Sequence, residues 1–144
     1  MQVFHPAGYQ FGNVPEPVVF NPTQLDTDQW IEVAKAAGAE YAVLVAKHGS
    51  GFSLWPSDAH DYSILNSPLN GQGDIVGNFI SSCEKYGLRS GIYYHTGYNA
   101  YCQVDNPGKV LSGDPEEQKY YNSIVIQQLT ELWTNLRRTV RNMV

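Results

Sequence analysis

Two hydrophobic rhythms alternate along this chain of 144 residues. The first is helical. Trp30, Val33, Ala34 and Ala37 recur at three- to four-residue spacing, which predicts an amphipathic helix over Asp28–Ala37. Asp26 or Thr27 caps it, Gly38 stops it, and Trp30, Val33, Ala34 and Ala37 form its apolar face. The second rhythm is a short, continuous apolar run over Tyr41–Ala46, read as a buried strand. The pair then repeats. A helix from Asp74 to Tyr86 has Asp74 as its cap, Ile75, Phe79 and Ile80 on its buried face, and Gly87 at its end. A strand over Ser90–His95 follows, and a third helix runs from about Pro115 to Asn135. Pro115 suits its first turn, and Glu116 and Glu117 complement the helix dipole.

Short turns follow the helices, and long loops, Lys47–Gly73 and Thr96–Ser112, follow the strands. In a parallel sheet with right-handed crossovers, that asymmetry puts both long loops at the carboxyl ends of the strands, on one face. The expected fold class is α/β: a partial (β/α)8 TIM barrel of about two to three βα units with parallel strands, because a closed barrel takes about 250 residues. Residues 1–22 hold four Pro and two Gly without a period and read as an irregular N-terminal arm. Residues 23–135 carry the βα rhythm and form the expected partial-barrel domain. Residues 136–144 read as a divergent basic tail, with Arg137, Arg138 and Arg141 closing an otherwise acidic chain.

Composition narrows the function. The hydrophobic share of 42% suits a globular core, and a net charge of −5 argues against a nucleic-acid or anionic-membrane partner. No apolar run is long enough for a membrane helix, and the first residues lack the basic start and apolar stretch of a signal peptide. Localisation therefore stays open. Cys83 and Cys102 have neither a disulfide framework nor zinc-ligand spacing around them, and Cys83 falls on the second helix as a small buried hydrophobe. His48 and His95 have no carboxylate or thiolate at metal spacing. Gly71-Gln72-Gly73 lacks the Lys or third glycine of a phosphate cradle, and Gly49-Ser50-Gly51 is too tight for a nucleophile elbow. No metal and no cofactor are expected. Ten Tyr and three Trp suit either a site for sugar rings, whose faces are apolar, or a packed core, where most aromatics lie.

The strand end Lys47-His48, followed by Gly51-Phe52 and Trp55-Pro56-Ser57, resembles retaining α-L-fucosidases, whose pattern there is Lys-His-His-Asp-Gly-Phe. Phe20-Asn21-Pro22 with Gln29-Trp30, Ala34-Lys35-Ala36-Ala37-Gly38-Ala39-Glu40-Tyr41, Asp74-Ile75-Val76 and Gly87-Leu88-Arg89-Ser90-Gly91-Ile92-Tyr93-Tyr94 extend the likeness from about Phe20 to Thr134. The resemblance implies a TIM-barrel catalytic domain that hydrolyses terminal α-L-fucosyl bonds with retention, through a covalent glycosyl-enzyme and without a cofactor. Its partner would be L-fucose or a fucosylated glycan. His48 would hydrogen-bond the sugar, Tyr93 would lie near it, and Trp55 would shield the site or pack beneath it. His95 and Tyr98 lie just past the second strand, where they could line a pocket. The family usually acts in secreted, lysosomal or extracytoplasmic spaces.

The chain also departs from that pattern. Gly49 stands for the second family His and Ser50 for the Asp. His5 and Glu16 lack the flanking residues of the family's first strand, and no carboxylate follows Glu131, where the family's nucleophile strand would come. Retaining hydrolysis needs two carboxyl groups about 5–5.5 Å apart. The helical acids, Glu131 among them, read as caps or solvated faces, and Asp58, Asp61 and Asp105 match no family catalytic position. No catalytic residue is therefore assigned. The expectation is a chain truncated at both ends and inactive alone. The alternatives are a non-catalytic fucose-binding or assembly module, or a gene-model fragment without independent function. The open edges of so small a sheet predict self-association.

Overall fold

The computed structural model describes residues 11–69 and 73–141, with side chains described through Thr134. His5, residues 1–10 of the arm, most of the Gly71–Gly73 turn and the side chains of the basic tail lie outside it. Helix α1 spans Thr27–Ala36, strand β1 Tyr41–Lys47, helix α2 Ile75–Tyr86 and strand β2 Arg89–Tyr94. Both helices start as their sequences dictate. The Asp26 carboxylate accepts the Gln29 N–H at 3.1 Å, and the Asp74 carboxylate accepts the Gly77 N–H at 2.9 Å. Gly87 closes α2 in the left-handed region, and its N–H bonds the Cys83 and Glu84 carbonyls.

The buried face of α2 is the expected one, with Ile75, Phe79 and Ile80 joined by Val76 and Cys83. That of α1 is not. Thr27 and Ile31 are its buried residues and Val33 is 61% exposed. The reason is the neighbour: α1 packs on α2, where the Thr27 hydroxyl meets the Ser82 hydroxyl at 2.8 Å. This contact turns the Thr27–Ile31–Ala34 row inward and leaves Val33 in water.

Strands β1 and β2 pair in parallel, with Tyr41 opposite Arg89, Leu44 opposite Ile92 and Val45 opposite Tyr93. The register shifts after Val45, so that Lys47 pairs with Tyr94. Side chains alternate across the sheet. Leu44 and Ala46 are buried in the same core as Phe79 and Ile80 of α2. The opposite face carries Tyr41 and Val43, 65% and 55% exposed, with Gly91 and Tyr93 beside them.

The loop after β2 holds a small hairpin that the sequence did not disclose. Val104–Asp105 (β3) and Lys109–Val110 (β4) pair antiparallel around a cis Asn106–Pro107 bond. Strands this short leave no period to read. Helix α3, Pro115–Arg141, covers the hairpin with Tyr121, and its backbone continues past the expected end at Asn135. Its inner row is Tyr121, Ile124, Gln128 and Leu132, all buried. Among residues 11–22, a 3-10 turn forms over Pro17–Val19, and the Gly12 N–H reaches the Ala100 carbonyl at 2.8 Å.

Candidate active site

Because β1 and β2 are adjacent and parallel, their carboxyl ends bring Lys47, His48, Tyr93 and His95 to one rim. The His48 ring stacks on His95 at 5.1 Å and on Tyr93 at 5.9 Å between centroids. The Tyr93 hydroxyl lies 2.9 Å from His95 Nδ1. Tyr93 is 40% exposed and His48 and His95 are half-buried, so the three rings form a polar, aromatic lip open to solvent. Burial, with the Lys47 charge nearby, pulls the His95 pKa below the usual imidazole range. The ring is therefore neutral at pH 7 and can both give and take a hydrogen bond.

Lys47 braces the rim from below. Its side chain is buried, its ammonium donates to the His95 carbonyl at 2.6 Å, and it sits 4.4 Å from the centre of the Tyr94 ring. Burial lowers its pKa to about 8. Beside His48, an apolar cleft of about 320 Å³ opens between Phe20, Trp30 and the Leu44–His48 stretch.

Trp55 packs beneath the site and does not line it. It is fully buried, and its ring lies 6.3 Å from that of Tyr94. Its indole N–H donates to Glu131 at 2.8 Å, and the same carboxylate accepts the Asp58 backbone N–H at 3.1 Å. The expectation that Glu131 is a solvated helix residue is thereby corrected: two neutral donors of the first long loop hold it. Gln128, one turn earlier, is likewise drawn into that loop. Its side-chain amide lies 2.6 Å from the Tyr94 hydroxyl, 2.9 Å from Ser53 Oγ and 3.0 Å from His60 Nε2. Burial lowers the His60 pKa to about 4. The Tyr62 backbone N–H donates to His60 Nδ1 at 3.1 Å. Sequence reasoning passed over this network. Its visible signal was a polar Gln128 at an inner position of an otherwise apolar helical row.

Asp58, Asp61 and Asp105 are exposed, and Asp105 spends one oxygen on the Asn106 N–H at 2.7 Å. Among the described residues no three His, Cys, Asp or Glu side chains gather as a metal site would need. No described helix is long and apolar enough to cross a membrane. Tyr98 tilts against Phe11, with ring centroids 4.9 Å apart.

The family model for alpha-L-fucosidase matches residues 2–140. Alpha-L-fucosidase 1 of Arabidopsis thaliana is 36% identical over 124 residues, which is 82% of this chain and 21% of that protein. A crystal structure from Bacteroides thetaiotaomicron, assigned as an alpha-L-fucosidase, superposes with a TM-score of 0.78 at 36% identity, over 90% of this chain and 31% of that one. The Lactobacillus casei alpha-L-fucosidase in complex with alpha-L-fucose product matches at 31% identity and a TM-score of 0.54, over 58% of this chain and 25% of that one. The chain thus spans between a fifth and a third of these relatives' lengths.

Proposed function

The chain belongs to the α-L-fucosidase family, and from that premise we propose that it supplies the sugar-positioning rim of a barrel that hydrolyses terminal α-L-fucosyl bonds. The observation that carries this reading is the single rim of His48, Tyr93 and His95 at the carboxyl ends of two adjacent parallel strands. In this reading α1–β1 and α2–β2 are consecutive units of a (β/α)8 barrel, and the bare Tyr41–Val43–Tyr93 face looks into the barrel. His48 gives a hydrogen bond to a sugar hydroxyl, Tyr93 lies against the ring, and the apolar cleft beside His48 takes an apolar part of the sugar. Trp55, held by Glu131, supports the loop from below.

The chemistry itself needs an attacking carboxylate and a carboxylic acid on opposite sides of the glycosidic bond. None of the loop acids described here stands as such a pair on the rim, so the segment binds and orients while carboxylates outside it react. Gly49 and Ser50 take the places of two polar side chains of the family pattern. Each lost partner of a buried hydroxyl weakens the grip on the sugar by about 1–3 kcal/mol.

The test is an amide NMR titration of the chain with L-fucose. Shifts centred on His48 and His95, lost in His48→Ala, are expected, with no turnover of a chromogenic α-L-fucoside. L-fucose shifts that bypass the rim, or turnover abolished by substituting one acid of this chain, would overturn the reading.

A second reading, that of an assembly module, is favoured by the exposed apolar face at Tyr41 and Val43. Parallel sheets are covered on both faces in folded proteins, so this face and the strand edges seek a partner.

A further inference from the structure

Helix α3 carries a second apolar row besides the one it buries. Ile126, Leu129 and Trp133 follow at steps of three and four residues and are 67%, 42% and 64% exposed. At 3.6 residues per turn this row lies roughly a third of a turn around the helix from Tyr121, Ile124, Gln128 and Leu132. The sequence carries the same steps onward to Leu136 and Val140. Two apolar positions in every heptad are the seam of a two-helix coiled coil, and from Ile126 to Trp133 that seam faces solvent.

Charge selects the direction in which two such helices pair. Glu116 and Glu117 open α3, and its last turns carry Arg137, Arg138 and Arg141. A parallel pair sets acid beside acid and base beside base. An antiparallel pair joins opposite charges and opposes the helix dipoles. Helix α3 is 27 residues long, about 40 Å at 1.5 Å per residue. At full antiparallel overlap, Ile126 of each copy meets Leu129 of the other, and Trp133 meets Asn122. Glu116, exposed and flanking the seam, then comes alongside Arg137 of the other copy, twice per pair. Lys119 and Asn122 continue the row toward the N-terminus, and polar residues within a seam fix its register.

We propose that the Ile126–Leu129–Trp133 face of α3 is the docking surface for a second copy of this chain, in an antiparallel two-helix seam. Leu132 joins the core that holds Leu44, so α3 lies on the side of the sheet opposite exposed Tyr41 and Val43. The two surfaces are therefore separate, and the seam does not depend on the fucoside reading of the rim.

The experiment is sedimentation equilibrium of the Val43→Lys chain, in which the sheet face is blocked. The expected result is a concentration-dependent dimer. Ile126→Glu, an exposed change, weakens it by about tenfold or more, since each copy loses an apolar contact and buries a charge. Glu116→Arg and Arg137→Glu each weaken it by about threefold or more, and the two together restore it, because the pairs are reversed but kept. That rescue decides the matter even where Ile126→Glu unfolds. A short bis-maleimide reads the direction: mixed Ser123→Cys and Thr130→Cys chains give the mixed cross-link above the background of Cys83 and Cys102, because these exposed positions meet across an antiparallel seam. A monomer at every concentration, which leaves the row to an unlike partner, overturns the proposal. So does a dimer indifferent to Ile126→Glu, a charge-reversed double variant no better than its singles, or Ser123→Cys cross-linked mainly to itself.

Discussion

Replacing Gln128 with Leu removes the centre of the buried network while keeping the volume of the side chain close to the original. The Tyr94 hydroxyl at 2.6 Å and Ser53 Oγ at 2.9 Å lose their partner, and His60 Nε2 loses a neighbour at 3.0 Å. Ser53 is fully buried, so water does not replace the amide. An orphaned buried polar group costs about 1–3 kcal/mol, and the leucine recovers part of that by apolar burial. The net expectation is about 2–4 kcal/mol of lost stability. With a urea slope of about 2 kcal/mol per molar, the unfolding midpoint falls by about 1–2 M, read from the fluorescence of the buried Trp55. A double-mutant cycle with Tyr94→Phe sharpens the test. With Tyr94→Phe beside it, the Tyr94 hydroxyl is no longer stranded, so the double variant is expected to be about 1 kcal/mol or more better than the sum of the singles. Additivity within about 0.5 kcal/mol would show that the two groups do not depend on each other and would refute the network.

Other expectations follow from the same geometry. Glu131→Leu strands the indole N–H of the buried Trp55 while the exposed Asp58 N–H turns to water, and is expected to cost about 1–3 kcal/mol in urea unfolding, whereas Glu131→Gln, which keeps an acceptor, costs less. Gly51→Ala is strained twice, by a φ of +91° and by a Cβ placed 2.3 Å from Asn99 Oδ1, an atom already bonded to the Cys102 N–H. A loss of at least about 3 kcal/mol is expected, checked by soluble yield and thermal unfolding. Stability also depends on pH at two groups. His60 binds its proton near 4 when folded and near 6.5 when unfolded, so between those values the unfolded chain holds more protons and stability falls as pH falls, by up to about 1.4 kcal/mol per unit. Lys47 has its folded pKa near 8 against 10.5 unfolded, so its contribution improves as pH rises across that interval. Urea midpoints between pH 4 and 7 test the first slope, and His60→Gln is expected to flatten it. Sedimentation of the isolated chain tests the uncovered sheet face: concentration-dependent association is expected, and Val43→Lys is expected to reduce it, while a monodisperse monomer at all concentrations contradicts the assembly reading.

What the sequence determined by itself was local or rhythmic. The capping carboxylates of Asp26 and Asp74 were legible because their partner N–H groups lie three residues away, and Gly87 because only a left-handed residue closes α2 so tightly. The alternation of short turns and long loops sufficed to put His48 and Tyr93 on one rim, since right-handed crossovers leave a parallel pair little choice. The bare acid count of the loops was legible in the same way. Only the tertiary structure decided which side of α1 is inner, because Val33 and Ile31 are equally apolar and the docking of α2 chooses between them. The same holds for Glu131 and Gln128. On α3 each looks like one more polar helix residue, and its partners, Trp55, Asp58, Ser53 and Tyr94, come from segments far away in the chain. Helical and strand periods report a residue's side of its own element, while hydrogen bonds between elements depend on how those elements meet, which no period records.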